Sequence, residues 1–525
     1  MSVVESARPL ADAASGDRLA HLGPRSAFFG VTALLSLMIV AVFAHAVESW
    51  TPFAWAALPL VFINALWIAG GAATALVGLA RPDRKPLAPP TAWLPSGRTA
   101  VLVTLCGEDP RPLADYLMQL AADLKRRGLK PSTRLVVLSD TSGAAKISAE
   151  EQALRSLIDS GRITYRRRTE NKGRKPGNIA DWLATHGSAY DAMMVLDADS
   201  RMTAARIRHM IWHLENRPKI GLLQAGIALV PGRSLFGRHQ RNTSRLLSRN
   251  FGKGLAAWSG TTGNYWGHNA IMRVAAFRTA AELPQLSGSA PLGGALLSHD
   301  FVEAAWIKRA GWDVVLDPDL AGSAEDAPQT LEAFHKRDRR WCQGNLQHLR
   351  LLAEPGLHPV SRFNLLSGIF SYIAAPIWLV LVVLIGLGAV SVTHAIPLGL
   401  VAATLLLPKF CALAEALSRA QTRWRKRVIL RASAAELGLS TVLAPLVMVR
   451  QSASVASVLI GIDCGWKSSQ SRRFSLPAGG GEMAVGLALL ALAATSGLGA
   501  TLWLAPMILP LVGAPLIVRA IDAGA

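Results

Sequence analysis

Two carboxylates one residue apart, Asp197 and Asp199, stand directly behind the apolar run Met193–Leu196. A run this short and bounded by acid reads as a buried strand. Open α/β sheets bind ligands at the C-terminal ends of their strands. Paired carboxylates there can hold a hard divalent cation, which in turn can neutralise a diphosphate; the plain alternative is an acidic turn. Two further predicted strand ends are acidic, at Glu108-Asp109 and at Asp140 within Ser139–Ser142. Three acidic loops on one edge of a parallel sheet suggest a nucleotide-diphosphate cleft. Lys175 and Asn178 open a predicted helix, where backbone amides and a lysine together favour an anion; a capped helix with a solvated lysine fits equally. Asp300 and Glu303, three residues apart, share one helical face. Asp300 suits a base that takes the proton from an attacking hydroxyl, or a helix cap. Arg337, Arg340 and Trp341 precede a long apolar region. They could neutralise a departing diphosphate and stack on a sugar, or form a lipid-facing basic patch. Gly267-His268-Asn269, after Tyr265-Trp266, is a polar-aromatic group suited to carbohydrate, or a tight turn over core aromatics.

These residues need a scaffold, and the composition describes one. The chain has 525 residues, 51% of them hydrophobic, and a formal charge of +20. Its mean hydropathy is +0.30. The basic residues lie in blocks beside apolar spans, which fits an anionic cytoplasmic leaflet better than nucleic acid. Cys106, Cys342, Cys411 and Cys464 are widely separated, so neither a disulfide framework nor a zinc site is expected. Residues 1–27 read as a polar tail. Residues 28–80 hold two membrane helices, with signal-peptidase cleavage after Ala44-His45-Ala46 as the competing reading of the first. Arg81, Arg84 and Lys85 then place the next segment in the cytoplasm.

Residues 98–352 change character. Apolar runs at 100–105, 135–138, 193–196 and 220–223 alternate with helix-length segments at 112–127, 150–160 and 176–186. That alternation predicts a mainly parallel sheet covered by helices on both faces. A membrane hairpin is expected over 363–418. Residues 419–482 read as a basic loop, an interfacial or re-entrant segment interrupted by Pro445 and Arg450, and a candidate gating loop around Lys467. A last hairpin is expected over 483–519, giving six spans with both termini inside. The fold class is thus a polytopic α-helical membrane protein with an inserted cytosolic α/β domain.

In order, E-D, S-D-T-S, K-x-G-N, D-A-D, G-H-N-A, S-H-D and R-x-x-R-W, followed by membrane helices, resemble the processive family 2 glycosyltransferases, the cellulose-synthase-like group. The local wording (GNIADW, VLDADS, YWGHNAIMR, LSHDFVEAAW, RAGW, KRDRRWCQGNL) is most similar to the branch that builds the backbone of osmoregulated periplasmic glucans. It covers residues 98–352 densely; the flanking helices are similar in topology alone. The resemblance implies a glycosyltransferase A-type fold and inverting, processive transfer of glucose from UDP-glucose to a growing β-glucan with a β-1,2 backbone, coupled to export across a bacterial inner membrane. It implies that Glu108 and Asp140 contact the uridine, and that Asp199, with Asp197 near it, binds Mg²⁺ (or Mn²⁺) and the diphosphate. Asp300 is implied as the catalytic base, with His299 replacing the usual Glu. Arg337, Arg340 and Trp341 would sit near the diphosphate and acceptor sugar. Gly107 stands where many members have Asn, and Gly143 where an acidic residue is common. The N-terminal region is short for the branch, so a regulatory tail is not expected. Expected partners are UDP-glucose, the glucan, anionic membrane lipids and periplasmic glucan-processing proteins, with no nucleic acid. The alternatives are a non-processive transferase making a lipid-linked sugar, and a nucleotide-binding transporter or sensor without turnover.

Overall fold

Along the first strand of the soluble domain, Ala100 and Leu102 enter one buried cluster while Val101, Val103 and Leu105 enter another. Met193 and Val195 separate from Met194 and Leu196 in the same way. A strand that is apolar at both parities must be covered on both faces. The computed structural model describes residues 22–82, 87–280, 282–464 and 478–525. Its strands are β1 (Thr99–Leu105), β2 (Thr133–Ser139), β3 (Ile163–Arg167), β4 (Ala192–Asp197), β5 (Arg201–Met202), β6 (Ile220–Ala225), β7 (Ala228–Leu229), β8 (Ala270–Arg273), β9 (Asp313–Asp317) and β10 (Ser323–Glu325). Seven of them form one sheet in the order β3-β2-β1-β4-β8-β6-β9, and β5, β10 and β7 form a small second sheet. In the large sheet β8 runs antiparallel to β4 and β6, while the other pairs are parallel. The register sets Thr104 opposite Asp197 and Leu105 opposite Ser139, so the loops after β1, β2 and β4 leave from one edge.

The chain is a polytopic membrane protein. Gly23–Ala46, Pro52–Leu79, Pro359–Gly386, Ile396–Arg419 and Arg423–Leu459 are helices long and apolar enough to cross a bilayer. Two details differ from the sequence reading. The segment expected to be interfacial or re-entrant is part of one unbroken helix, Arg423–Leu459, with Pro445 inside it. Arg450 does not interrupt that helix because its guanidinium pairs with Glu482 and lies 3.6 Å from Glu332, so the charge is met by protein, not lipid. The expected last hairpin is a 16-residue helix, Gly480–Thr495, and a pair, Leu498–Val512 and Ala514–Asp522, bent by 52°. Lys467 and its neighbours, read as a gating loop, lie outside the described residues, as do Arg84, Lys85 and most of the N-terminal tail.

The helix Leu235–Ser259 joins the two parts of the molecule. Its backbone crosses the helix Pro52–Leu79 at glycines. A Cβ on Gly254 would sit 1.9 Å from the Thr74 carbonyl oxygen, and one on Gly78 would sit 2.1 Å from that of Asn250. Backbones this close exclude any side chain, as at small-residue crossings between membrane helices. Gly254→Val is therefore expected to separate the helices and destabilise the protein by about 1–3 kcal/mol. The midpoint of thermal inactivation in detergent should fall; an unchanged midpoint would show the crossing to be pliable.

Candidate active site

The buried strand β4 delivers Asp197 to the edge of the sheet. Thr104 Oγ1 donates to its Oδ1 at 3.1 Å, and the Lys175 ammonium pairs with the same oxygen. Burial alone would raise the Asp197 carboxyl, but Lys175, His268 and Thr104 outweigh it and hold the group well below the usual carboxylate range. Lys175 reaches this point because its helix, Arg174–His186, starts from a left-handed turn at Gly173 and Arg174, with φ of 70° and 55°. Gly177 lets the preceding loop fold onto that helix, since a Cβ there would lie 2.2 Å from the Lys172 carbonyl oxygen. Lys175 Nζ also donates to the Gly267 carbonyl at 2.7 Å, tying the aspartate pair to the Gly267–Asn269 loop.

Asp199 stands in a different field. Burial, helped by the like charges of Asp197 and Glu325, pushes its carboxyl up to about 6, against the opposing pull of His268 and Arg337. Among the described residues, no group of three or more His, Cys, Asp or Glu side chains is arranged to hold a metal. Mg²⁺, however, is commonly held by one or two carboxylates plus water and substrate phosphates, without a dedicated protein cage. A desolvated Asp199 beside like charges is the donor that a hard cation would stabilise, so the residues fit such an ion.

Glu325, on β10, is a site residue that sequence reasoning missed. Its Oε2 lies 3.1 Å from His268 Nε2 and 3.6 Å from Arg337 Nη2. Burial raises the Glu325 carboxyl, but His268 and Arg337 lower it further than burial lifts it. The three groups form a chain from the Gly267–Asn269 loop to the arginine helix, Leu331–Gln347. On that helix the Arg337 guanidinium lies 4.3 Å over the ring of Trp341. Arg340 is on the same helix, close enough to feel Cys464, just beyond the end of the helix Arg423–Leu459.

Asp300 lies in the first turn of the helix His299–Arg309, whose cap position is Ser298, not Asp300. Burial raises its carboxyl, and the adjacent His299 opposes that rise. His299 Nδ1 in turn faces Glu303 Oε2 at 3.1 Å. Gly267 has φ of 86°, and a Cβ there would come 3.5 Å from Asp300 Oδ2. Gly267 thus bonds Lys175 through its carbonyl and leaves the space beside its Cα open towards Asp300. Asp300, His268, Glu325, Arg337, Trp266 and Trp341 line a cavity of about 930 Å³ that continues past Trp67, Thr74 and Phe363 of the membrane helices.

Other predicted residues are placed elsewhere. Asp140 is held by Arg168, whose Nε and Nη2 each donate at 2.8 Å. Glu108 Oε2 accepts from the Cys106 amide at 2.6 Å. Both sit at the β1–β2 end of the edge and do not line the cavity. Asn178 is buried and accepts from Arg166 at 3.0 Å, and Asn269 donates to Ser323 Oγ at 3.0 Å, so both brace the loops. Arg166 and Arg168 were also missed; the run of three arginines closing β3 was their one visible sign.

Residues 101–280 match the profile described as Glycosyl transferase family 2, and residues 192–414 match Glycosyl transferase family group 2. The chain is 37% identical over 503 residues to a glucans biosynthesis glucosyltransferase H of Cereibacter sphaeroides, covering 87% of this chain and 83% of that one. It is 39% identical over 416 residues to the protein of that name from Rhodopseudomonas palustris (strain BisA53), covering 72% of this chain and 58% of that one. The Xanthomonas campestris pv. campestris (strain B100) protein of the same name is 38% identical over 413 residues, covering 72% and 64%. The match therefore spans less than two thirds of the last two relatives. A solved structure of the mannosyltransferase PcManGT from Pyrobaculum calidifontis, in complex with GDP-Man and Mn²⁺, overlaps with a TM-score of 0.48 at 15% identity, over 77% of this chain and 96% of that one.

Proposed function

This chain belongs to the glucans biosynthesis glucosyltransferase H branch of the family 2 glycosyltransferases, and on that premise we propose that it transfers glucose from UDP-glucose to a growing β-glucan. The observation that carries the reading is the Gly267 peptide. Its carbonyl accepts from Lys175, which pairs with Asp197, and a Cβ on Gly267 would lie 3.5 Å from Asp300 Oδ2, a carboxylate that lines the cavity.

In this reading Asp300 takes the proton of the acceptor hydroxyl as its oxygen attacks C1 of the donor glucose. The bond from C1 to the diphosphate oxygen breaks with its electrons leaving on UDP, and the configuration at C1 inverts. Asp199, with Asp197 near it, would hold Mg²⁺ (or Mn²⁺), and that ion would supply positive charge for the leaving diphosphate. Arg337 and Arg340, half-buried on one helix with Arg337 held by Glu325, add positive charge that needs little reorganisation as charge develops on the diphosphate. Trp341 offers a face for the acceptor sugar. The loops of Glu108 and Asp140, at the same sheet edge, receive the uridine, with Asp140 set by Arg168.

The cavity's continuation between the membrane helices supports processive transfer coupled to export, with the α/β domain on the cytoplasmic side of a bacterial inner membrane and a β-1,2-linked product. Periplasmic glucan-processing proteins would receive the chain. Membranes incubated with radiolabelled UDP-glucose should yield a ladder of glucans whose linkage analysis gives 2-substituted glucose. A single glycolipid spot would instead support non-processive transfer. The absence of any UDP release would support a nucleotide-binding transporter or sensor.

A further inference from the structure

Away from that cavity, the helix Leu235–Ser259 carries Arg238, Arg241 and Arg245 at spacings of three and four, hence on one face. Together with Asn242 and the turn Pro231-Gly232 they enclose a separate pocket of about 200 Å³. Like charges stacked at this spacing repel one another. Acids on the elements packed against this helix have other partners: Glu415 is engaged by Arg249 and Lys253, Glu436 by Lys409, and Asp522 accepts from the Leu331 amide. Among the described residues, Arg241 and Arg245 make no ion pair or hydrogen bond. Arg238 spends one N–H on the Arg233 carbonyl at 3.1 Å.

The pocket's position says what kind of anion reaches it. Asn242 donates to the Ala432 carbonyl at 2.9 Å, where the cationic first turns of the helix Arg423–Leu459 give way to its apolar length. Arg423, Arg425, Lys426, Arg427 and Arg431 lie in those turns. Trp424 and Leu430 expose 71% and 47% of their surfaces in the same turns. A boundary of guanidinium groups and exposed apolar side chains is where a headgroup phosphate and its acyl chains meet a protein. The volume admits a phosphodiester headgroup and is small for a nucleotide.

We propose that this pocket is a binding site for the phosphate of an anionic phospholipid, distinct from the transferase cavity. The test uses the full chain, purified and delipidated in detergent, titrated with dioctanoyl phosphatidylglycerol, dioctanoyl phosphatidylcholine or inorganic phosphate, and read by native mass spectrometry. Phosphatidylglycerol should bind in preference to phosphatidylcholine. Arg241→Gln with Arg245→Gln should weaken it about 25-fold, at roughly fivefold per lost charge, while Arg241→Lys with Arg245→Lys should retain most of the binding. Arg245→Gln alone, at an exposed position, should weaken binding about fivefold with the thermal midpoint unchanged. Equal binding by wild type and the double Gln variant would overturn the site. So would equal binding of the two lipids. Displacement of phosphatidylglycerol by an equal concentration of inorganic phosphate would overturn the lipid assignment.

Discussion

Asp300→Asn is expected to lower the rate of UDP release by about 10²–10⁴-fold while leaving the affinity for UDP-glucose within about threefold. The amide has the size of the carboxylate, so the first turn of the helix His299–Arg309 and its place beside Gly267 should survive. What it cannot do is accept a proton. The pH dependence adds a second reading. Burial raises the Asp300 carboxyl, with His299 opposing. A general base acts when ionised, so the rate is full above its pKa and falls as the pH drops through it. The acid limb of the kcat/KM profile should therefore lie above the ordinary carboxylate range, and it should be absent from the residual activity of Asp300→Asn. A variant that retains full turnover would remove Asp300 from the chemistry.

Asp199→Asn should cost about 10²–10³-fold in turnover, the scale found when one fixed charge-stabilising group is removed. The saturating dependence of the wild-type rate on Mg²⁺ should flatten in the variant. Stability should move the other way. The folded protein disfavours ionised Asp199, since its carboxyl is pushed up to about 6 by burial beside Asp197 and Glu325. A carboxylate with a raised folded-state pKa destabilises the fold at any pH above that value, so at pH 7 without divalent cation the neutral Asn should raise the thermal midpoint. Lower activity together with higher stability identifies a group kept for function. Lower activity with lower stability would mark Asp199 as structural instead.

The legible parts of the fold were those whose pattern is local. β1, β2, β4 and β6 each hold a short apolar run, and the first three of these lead within a few residues to an acidic one. β3, β8 and β9 are short or alternate with charge. β8, four residues long, finds its place only by pairing antiparallel with β4 and β6. The helix Leu235–Ser259 is basic and glycine-bearing, with nothing local to distinguish it from a solvated segment; its glycines acquire meaning from a crossing with residues 74–78.

The same holds for charges whose partners are distant. Arg450 looks like a break in a membrane helix until Glu482, 32 positions on, is seen to pair with it. Glu325 sits in a three-residue strand without a recognisable motif, yet it links His268 to Arg337. At the site, the residue types at strand ends and helix starts pointed to diphosphate and proton chemistry. The sequence could not tell which side chains face the cavity and which brace it. Asp140 is clamped by Arg168, and Asn178 and Asn269 hold loops.

The central claim is that the aspartate pair and Asp300 serve a single donor sugar in one cavity. A cryo-electron microscopy map of the full chain with UDP and Mn²⁺ tests it most directly. Density for the ion and diphosphate is predicted beside Asp199 and within reach of Arg337, with Asp300 facing the open side of the same cavity. Nucleotide bound away from Asp199, or separated from Asp300 by packed protein, would contradict it.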